Sequence, residues 1–462
     1  MLRKRSGLRL AFLPQLRETE WRRSAPLLLV AVVAAACLGS VVPLASISGT
    51  QIPIICTLAV MVGCLLVLDR SAIALPGILR PAPVVFGSVA LGAVAASSLA
   101  GRDSNTYFTL LGFEMIGFLL ALLLMPDISA VPTRTRTIDR AKLIRWSKIC
   151  WAVCVLTGLA FFAARGVPAL LPNIESSRVN QAGSGTGYFR LLAYMSAPAA
   201  LMLYAADVRR SWVYLGVASA LIVGLADRSP LLYLLIPVGV TMTVAGKRRF
   251  GSWQILVAGA LALMAVAGIG AYRIVSQDDF RSYPEYRQDI ASRNYFDIAV
   301  TSVEHYATIV PANAVLAKRL ADEGLIPFQY GRTYLTLPIS ILPGHQLSPD
   351  LLIKKASGKT FIGGGTPPTL VGEGYMNAGY VGVVLAAFVL MLFVRYWAAV
   401  VVTEAAARSG PNFRTGTVIY GYAVAWVLGA QVAGFAGASS VPLAGFVLLL
   451  VLRWVSSRKV AA

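Results

Sequence analysis

Gly363-Gly364-Gly365-Thr366-Pro367-Pro368-Thr369-Leu370-Val371-Gly372-Glu373-Gly374-Tyr375-Met376-Asn377 marks the point where a polar stretch of roughly ninety residues, about Ser276 to Pro367, gives way to an apolar one. Most of the remaining sequence reads as lipid-soluble helix, so chemistry on a polar substrate is expected in this stretch and at its exit. Glu373 lies between Gly372 and Gly374 at the predicted start of a helix, where free backbone N–H groups and the helix dipole favour an anion. Glycines on both sides predict that a large substrate can approach the backbone there. The competing reading is that Glu373 only caps its helix.

The composition fits this division. The 462 residues are 57% hydrophobic and 13% charged, with a mean hydropathy of +0.70. Apolar runs long enough to cross a hydrocarbon core of about 30 Å recur throughout, which excludes an ordinary soluble protein. Twelve spans are expected, at 26–48, 52–69, 82–100, 107–125, 147–165, 189–206, 211–226, 230–246, 252–275, 368–396, 413–434 and 438–456. Over 211–246, Asp227-Arg228 and Pro230 leave a re-entrant hairpin as an alternative.

The formal charge of +20 does not form a groove-facing patch interleaved with aromatics, so nucleic acid is not expected as a partner. The basic residues instead fill short connections: Arg3 to Arg23, Arg134 to Lys148, Arg209-Arg210, Lys247-Arg248-Arg249, and Arg453 to Lys459. With twelve spans these all fall on one side. The positive-inside rule makes that side cytoplasmic, together with both termini.

The expected domains are a basic N-terminus (1–25), a membrane domain of about nine helices (26–275), an external cap loop (276–367), a membrane domain of about three helices (368–456) and a cytoplasmic tail (457–462). The fold class is therefore all-α and polytopic. Arg22-Arg23 before an apolar run ending in Cys37 is read as the start of a first transmembrane helix and not as a secretory signal. The cysteines at 37, 56, 64, 150 and 154 lie within or at the ends of spans and give no disulfide framework or zinc spacing. No metal is expected.

Within the cap, Phe296, Val300, Val303, Ala307 and Val310 follow the stripe of an amphipathic helix, with Asp297, Thr301, Glu304, His305 and Thr308 on the other face. Pro311 is expected to end or kink that helix. From Arg273 to Pro367, six arginines and four lysines nearly balance nine acids. A long loop carries no orientation signal, so these charges have no topological reason to be there.

Arginine suits a phosphate at an interface, because its planar fork stays charged and bonds in a bidentate way. Arg281, Arg287, Arg293 and Arg332 are candidates in the cap. Arg178 and Arg190 are candidates in or beside a second external connection at 166–188, and Arg228 lies in a third. Paired surface charges and lipid-headgroup snorkelling are the plain alternatives. Glu114, deep in an apolar run, is a functional candidate by position or else a hydrogen-bonded structural acid.

Tyr330-Gly331-Arg332-Thr333-Tyr334-Leu335, Leu337-Pro338-Ile339, Leu342-Pro343 and Gly365 to Gly382 together resemble the Wzy-type oligosaccharide repeat-unit polymerases of bacterial O-antigen and capsule pathways. In that family a glycine-rich P-T/S-x-x-G-E-x-Y-x-N-x-G pattern follows the large external loop. The close resemblance covers about fifty residues, here with Tyr375 and Asn377 in the pattern.

The resemblance implies an architecture like that of the GT-C membrane glycosyltransferases and transfer of a growing glycan from undecaprenyl diphosphate to an incoming lipid-linked repeat unit. The transfer would occur at the outer face of the plasma membrane. It implies undecaprenyl-diphosphate-linked oligosaccharide and membrane lipid as partners, a chain-length-regulating co-polymerase as a further one, and functional arginines on the two larger external loops. Arg178 and the group Arg281, Arg287, Arg293 and Arg332 match that expectation. His305 and His345 do not stand in a setting like that of the related O-antigen ligases.

The residues suit this chemistry without a cofactor. A lipid diphosphate is a good leaving group, so arginine must hold its charge and a base must activate the acceptor hydroxyl. Glu373, Asp297, Glu304 and His305 are the candidate bases. A ligase is the competing enzyme. A flippase or secondary transporter is the competing class, but it predicts charged or broken mid-membrane positions and related halves, where this sequence has a nearly isolated Glu114.

Overall fold

The computed structural model describes residues 101–124, 137–171, 187–225, 229–245, 295–339, 348–359, 365–405, 411–436 and 440–458, with scattered positions in 81–99 and 268–275. The expected spans 26–48 and 52–69, and most of 82–100 and 252–275, lie outside the described residues. Helix makes up 86% of the described residues, which fixes the all-helical class.

In chain order the elements are α1 (Gly101–Leu124), the two-residue strand β1 (Thr137–Ile138), α2 (Arg140–Arg165), α3 (Gly187–Tyr194), α4 (Ser196–Ala205), α5 (Ser211–Gly224) and α6 (Ser229–Ala245). There follow α7 (Tyr295–Asp322), α8 (Arg332–Ile339), α9 (Pro349–Ala356), α10 (Thr369–Ala405), α11 (Pro411–Ala433), α12 (Ser440–Val455) and β2 (Ser457–Arg458). Among the described residues, four helices are long and apolar enough to cross a membrane: Gly101–Leu122, Arg140–Leu170, Thr369–Glu404 and Asn412–Ala433. This is a membrane protein.

The helices pack through small residues, as expected where lipid tails remove the hydrophobic drive between helices and close backbone approach must replace it. A Cβ at Gly117 of α1 would overlap Val384 and Ala387 of α10, and one at Gly421 of α11 would overlap Pro237 of α6. The larger buried cluster joins α2, α4, α5, α6, α11 and α12 around Leu201, Met202, Tyr422 and Leu449. A smaller one, Ala317, Leu320, Ile326, Ile353 and Met376, seats the cap helices α7 and α9 on the start of α10.

Two spans and one cap helix differ in detail from the sequence reading. The expected span 189–206 is broken at Met195 into α3 and α4. Pro198 has no N–H for the Tyr194 carbonyl, which removes one bond of the continuous ladder. The expected single span 368–396 is two helical pieces, because Ala378 (φ −157°, ψ 40°) and Gly379 (φ 58°, ψ −146°) leave helical geometry inside α10. Gly379 supplies the left-handed φ that a side chain would resist. Finally, α7 does not end at Pro311 but runs to Asp322. Ala314 and Ala317 beyond the proline lie against Gly372 of α10, and this packing offsets the lost hydrogen bond.

Among the described residues, the short basic connections meet at one end. Asp139 caps α2 through Ala141 and Lys142 N–H, at 3.0 and 3.2 Å, and β1 pairs antiparallel with β2. Ile138 N–H donates to Asn412 Oδ1 at 2.8 Å. Arg140 donates to the carbonyls of Ala206 and Asp207, at 2.8 and 3.1 Å, at the end of α4. Arg414 pairs with Asp207 at 3.1 Å, and Arg453 pairs with Glu404. Segments 137–140, 206–210, 404–405, 411–414 and 453–458 therefore share a side.

Candidate functional site

The other end of α10, α11 and α12 holds a closed polar network. Segment 329–331 is fastened to the exit motif by three bonds: Gln329 N–H to Met376 O at 2.9 Å, Tyr330 N–H to Asn377 O at 2.9 Å, and Gly331 N–H to Asn377 Oδ1 at 2.8 Å. Asn377 Nδ2 donates to Thr333 Oγ1 at 2.6 Å and to the Glu373 carbonyl at 2.9 Å. The Thr333 hydroxyl in turn donates to Glu373 Oε1 at 2.8 Å. From the turn after α11, Ala436 N–H reaches Oε2 at 3.0 Å and Oε1 at 3.3 Å.

Thr333, Glu373 and Asn377 are all buried, Glu373 completely. A buried carboxylate is tolerable only when donors compensate its lost hydration. Here one carboxylate ties together α8, α10 and the α11–α12 connection.

The backbone around it is strained where it must turn. Thr369, the first residue of α10, has φ 65°, and Tyr330 has φ 47°. Neither a β-branched nor a bulky residue adopts that region without cost. Thr369 Oγ1 accepts Gly372 N–H at 3.3 Å, and Asp350 O of α9 accepts Thr366 N–H at 3.1 Å, so the exit is fixed from both sides. Gly434 (φ 81°) has no room for a Cβ, which would strike the Glu373 carboxylate and crowd the Thr369 carbonyl.

The glycines flanking Glu373 do not open a path for substrate. What approaches Gly372 is Ala314 and Ala317 of α7, and what approaches Gly374 is Gly382 and Val383 beyond the kink. Their missing side chains are taken up by the protein's own helices.

Beside the network, Lys318 and Asp322 of α7 form an ion pair. Tyr375 OH donates to Asp322 Oδ1 at 2.6 Å, and Lys318 Nζ sits 4.7 Å from the Tyr375 ring centroid and 5.6 Å from that of Tyr380. Partial burial pushes the Asp322 carboxyl up, but hydrogen bonds from Lys318 and Tyr375 outweigh it and hold it below the ordinary range. Burial and the nearby Glu373 carboxylate push the Tyr334 phenol well up, so Tyr334 is no base near neutral pH.

A family model described as putative O-antigen polymerase matches residues 58–410. The chain belongs to that family. Membership assigns it a polymerase role in O-antigen synthesis and makes it a glycosyltransferase-like membrane enzyme. No curated protein and no solved structure matches it.

The matched range contains every candidate named from the sequence, and the structure locates them unequally. Glu373, Tyr375 and Asn377 come together with Arg332, which is exposed on the first residue of α8 next to Thr333. Arg190 is half-buried on α3, with Nε donating to Tyr194 OH at 2.8 Å. Asp297 is exposed in the first turn of α7. Glu304 and His305 follow it on the same helix at i+7 and i+8, hence on one face, and their side chains are outside the described part. Arg178, Arg228, Arg281, Arg287 and Arg293 also lie outside the described residues. Glu114 of α1 is fully buried and accepts from Gln431 Nε2 at 2.6 Å.

Two partners of Glu373 were not singled out from the sequence. Thr333 was legible as a neighbour of Arg332 but carried no sign of its acceptor 40 residues on. Ala436 acts only through its backbone, 63 residues away, and nothing in its side chain signals that.

Proposed function

We propose that this polymerase transfers a growing glycan from undecaprenyl diphosphate to an incoming lipid-linked repeat unit, at the outer face of the plasma membrane. The observation that carries the reading is the family assignment across 58–410. The gathering of the exit motif, Arg332 and the cap helices at the end of the bundle away from the basic connections supports it. The matching topology has twelve spans in a GT-C-like arrangement, both termini cytoplasmic, and residues 276–367 outside.

In this reading the acceptor hydroxyl oxygen attacks the anomeric carbon and the bond to the diphosphate oxygen breaks. The lipid diphosphate leaves with the electron pair, and the hydroxyl proton passes to a base. Arg332 holds the diphosphate charge, with Arg178, Arg190, Arg228, Arg281, Arg287 and Arg293 as further anion ligands. Asp297, Glu304 and His305, on one face of α7, supply the base.

Glu373 is then a positioning residue. Its two oxygens already accept Thr333 and Ala436, and what they hold in place is the start of α8, where Arg332 stands. A deletion strain tests the reaction class: single lipid-linked repeats accumulate if polymerisation is lost, whereas long lipid-linked chains would identify a ligase. Purified protein given lipid-linked repeat unit should form a ladder, and its absence would overturn the polymerase mechanism.

A further inference from the structure

Tyr330 is 82% exposed, yet its backbone is tightly held. It holds a left-handed φ of 47°, is followed by Gly331 at 84°, and lies in a three-residue segment fastened to Met376 and Asn377 by three hydrogen bonds. An aromatic ring so exposed on strained backbone gains little burial for that cost. Phe328, also exposed, stands edge-on to it with centroids 6.4 Å apart, and lies 6.3 Å from the buried ring of Tyr375. The Lys318–Asp322 pair borders the same ring.

An apolar aromatic face beside a charged donor and acceptor matches the two surfaces of a pyranose. The ring's axial C–H groups carry partial positive charge and stack on the negative aromatic face, while its rim hydroxyls need hydrogen-bond partners.

We propose that Tyr330 and Phe328, next to the Tyr375 ring that Lys318 and Asp322 border, form a stacking subsite for the sugar attached directly to the lipid diphosphate. Tyr330 and Arg332 are two residues apart, so their Cα atoms are within about 8 Å. Side chains carried that close together can reach a sugar ring and the phosphate attached to it. The subsite rests on the reading of Arg332 as the diphosphate ligand. A tyrosine anchored in lipid headgroups is the competing account.

Protein in nanodiscs, with the repeat-unit oligosaccharide released from its lipid by mild acid, decides between them by saturation-transfer NMR. Wild type and Tyr330→Phe should transfer saturation to the sugar, and Tyr330→Ala and Tyr330→Leu should not. In ladder assays Tyr330→Ala should raise the KM for lipid-linked repeat unit about tenfold, with kcat within about twofold and Tyr330→Phe close to wild type. Equal behaviour of the Phe and Leu variants in both assays overturns the subsite in favour of interfacial anchoring. Unchanged saturation transfer in Tyr330→Ala overturns it outright. If wild type binds the oligosaccharide but builds no ladder, the polymerase mechanism falls and the subsite stands. Tyr330 is exposed, so the variants should keep the wild-type elution profile; should Tyr330→Ala fail, the Phe and Leu pair still decides.

Discussion

Helices α10, α11 and α12 each have one foot at either end of the bundle, and the two ends are joined in different ways. At the basic end, Arg140 caps the carbonyls of α4, Arg414 meets an Asp207 carboxylate that is 67% exposed, and Arg453 meets Glu404. These are long, charged side chains, exposed at Arg140 and Asp207 and more buried at Arg453 and Glu404. At the other end the joining groups are short and buried: one carboxylate, one hydroxyl, one amide and a few backbone N–H groups. An exposed pair such as Arg414–Asp207 tolerates movement and salt. The second kind of contact has one geometry, and losing a member strands its partners without water. In the proposed mechanism, the second kind is what would hold Arg332 in one place beside the substrate.

The comparison can be broken most forcefully at Glu373. Glu373→Ala strands the Thr333 hydroxyl and Ala436 N–H, and should cost about 3 kcal/mol, read as a lower melting temperature in detergent together with loss of the glycan ladder. A wild-type melting temperature would end the positioning role. Arg332→Ala should reduce ladder formation by about a hundredfold while leaving the melting temperature unchanged, because its side chain is exposed. Chains of wild-type length would remove Arg332 from the diphosphate site.

Thr333→Val keeps the shape and removes the hydroxyl between Asn377 and Glu373, for about 1 to 2 kcal/mol. Thr333→Ser should recover most of it in the same melting assay.

Smaller effects are expected outside the network. Asp322 has its folded value lowered, so its contribution is present above the ordinary aspartate value of about 4 and is lost as pH falls through the folded value. Melting curves of wild type and Asp322→Asn should therefore differ at neutral pH and converge in acid. Least of all, Arg414→Ala at the basic end should shift stability by about 0.5 kcal/mol or less, and less still in high salt. A large loss there would erase the contrast between the two ends.

Much of the helical frame was legible because apolar runs of that length have few other fates. The expected 211–226 and 230–246 correspond to Ser211–Gly224 and Ser229–Ala245, and 413–434 and 438–456 to Pro411–Ala433 and Ser440–Val455. The break at Met195, the kink at Ala378-Gly379 and the passage through Pro311 were less legible. Each turns on one or two hydrogen bonds, and neighbouring helices decide whether their loss is tolerated. Of the candidate site, Glu373, Arg332, Tyr375 and Asn377 were visible as residues. The partners of Glu373 were not, since Thr333 and Ala436 lie 40 and 63 residues away in the chain.

The sequence alone determined that the chain is a helical membrane protein with a polar stretch leading into a glycine-rich motif. Hydrophobic length and charge placement are one-dimensional properties, and lipid reads them directly. Only the tertiary structure decided that the glycines around Glu373 admit neighbouring helices instead of substrate, and that the carboxylate is buried and spoken for. Those outcomes depend on which distant backbone groups arrive beside it, and no local pattern encodes that.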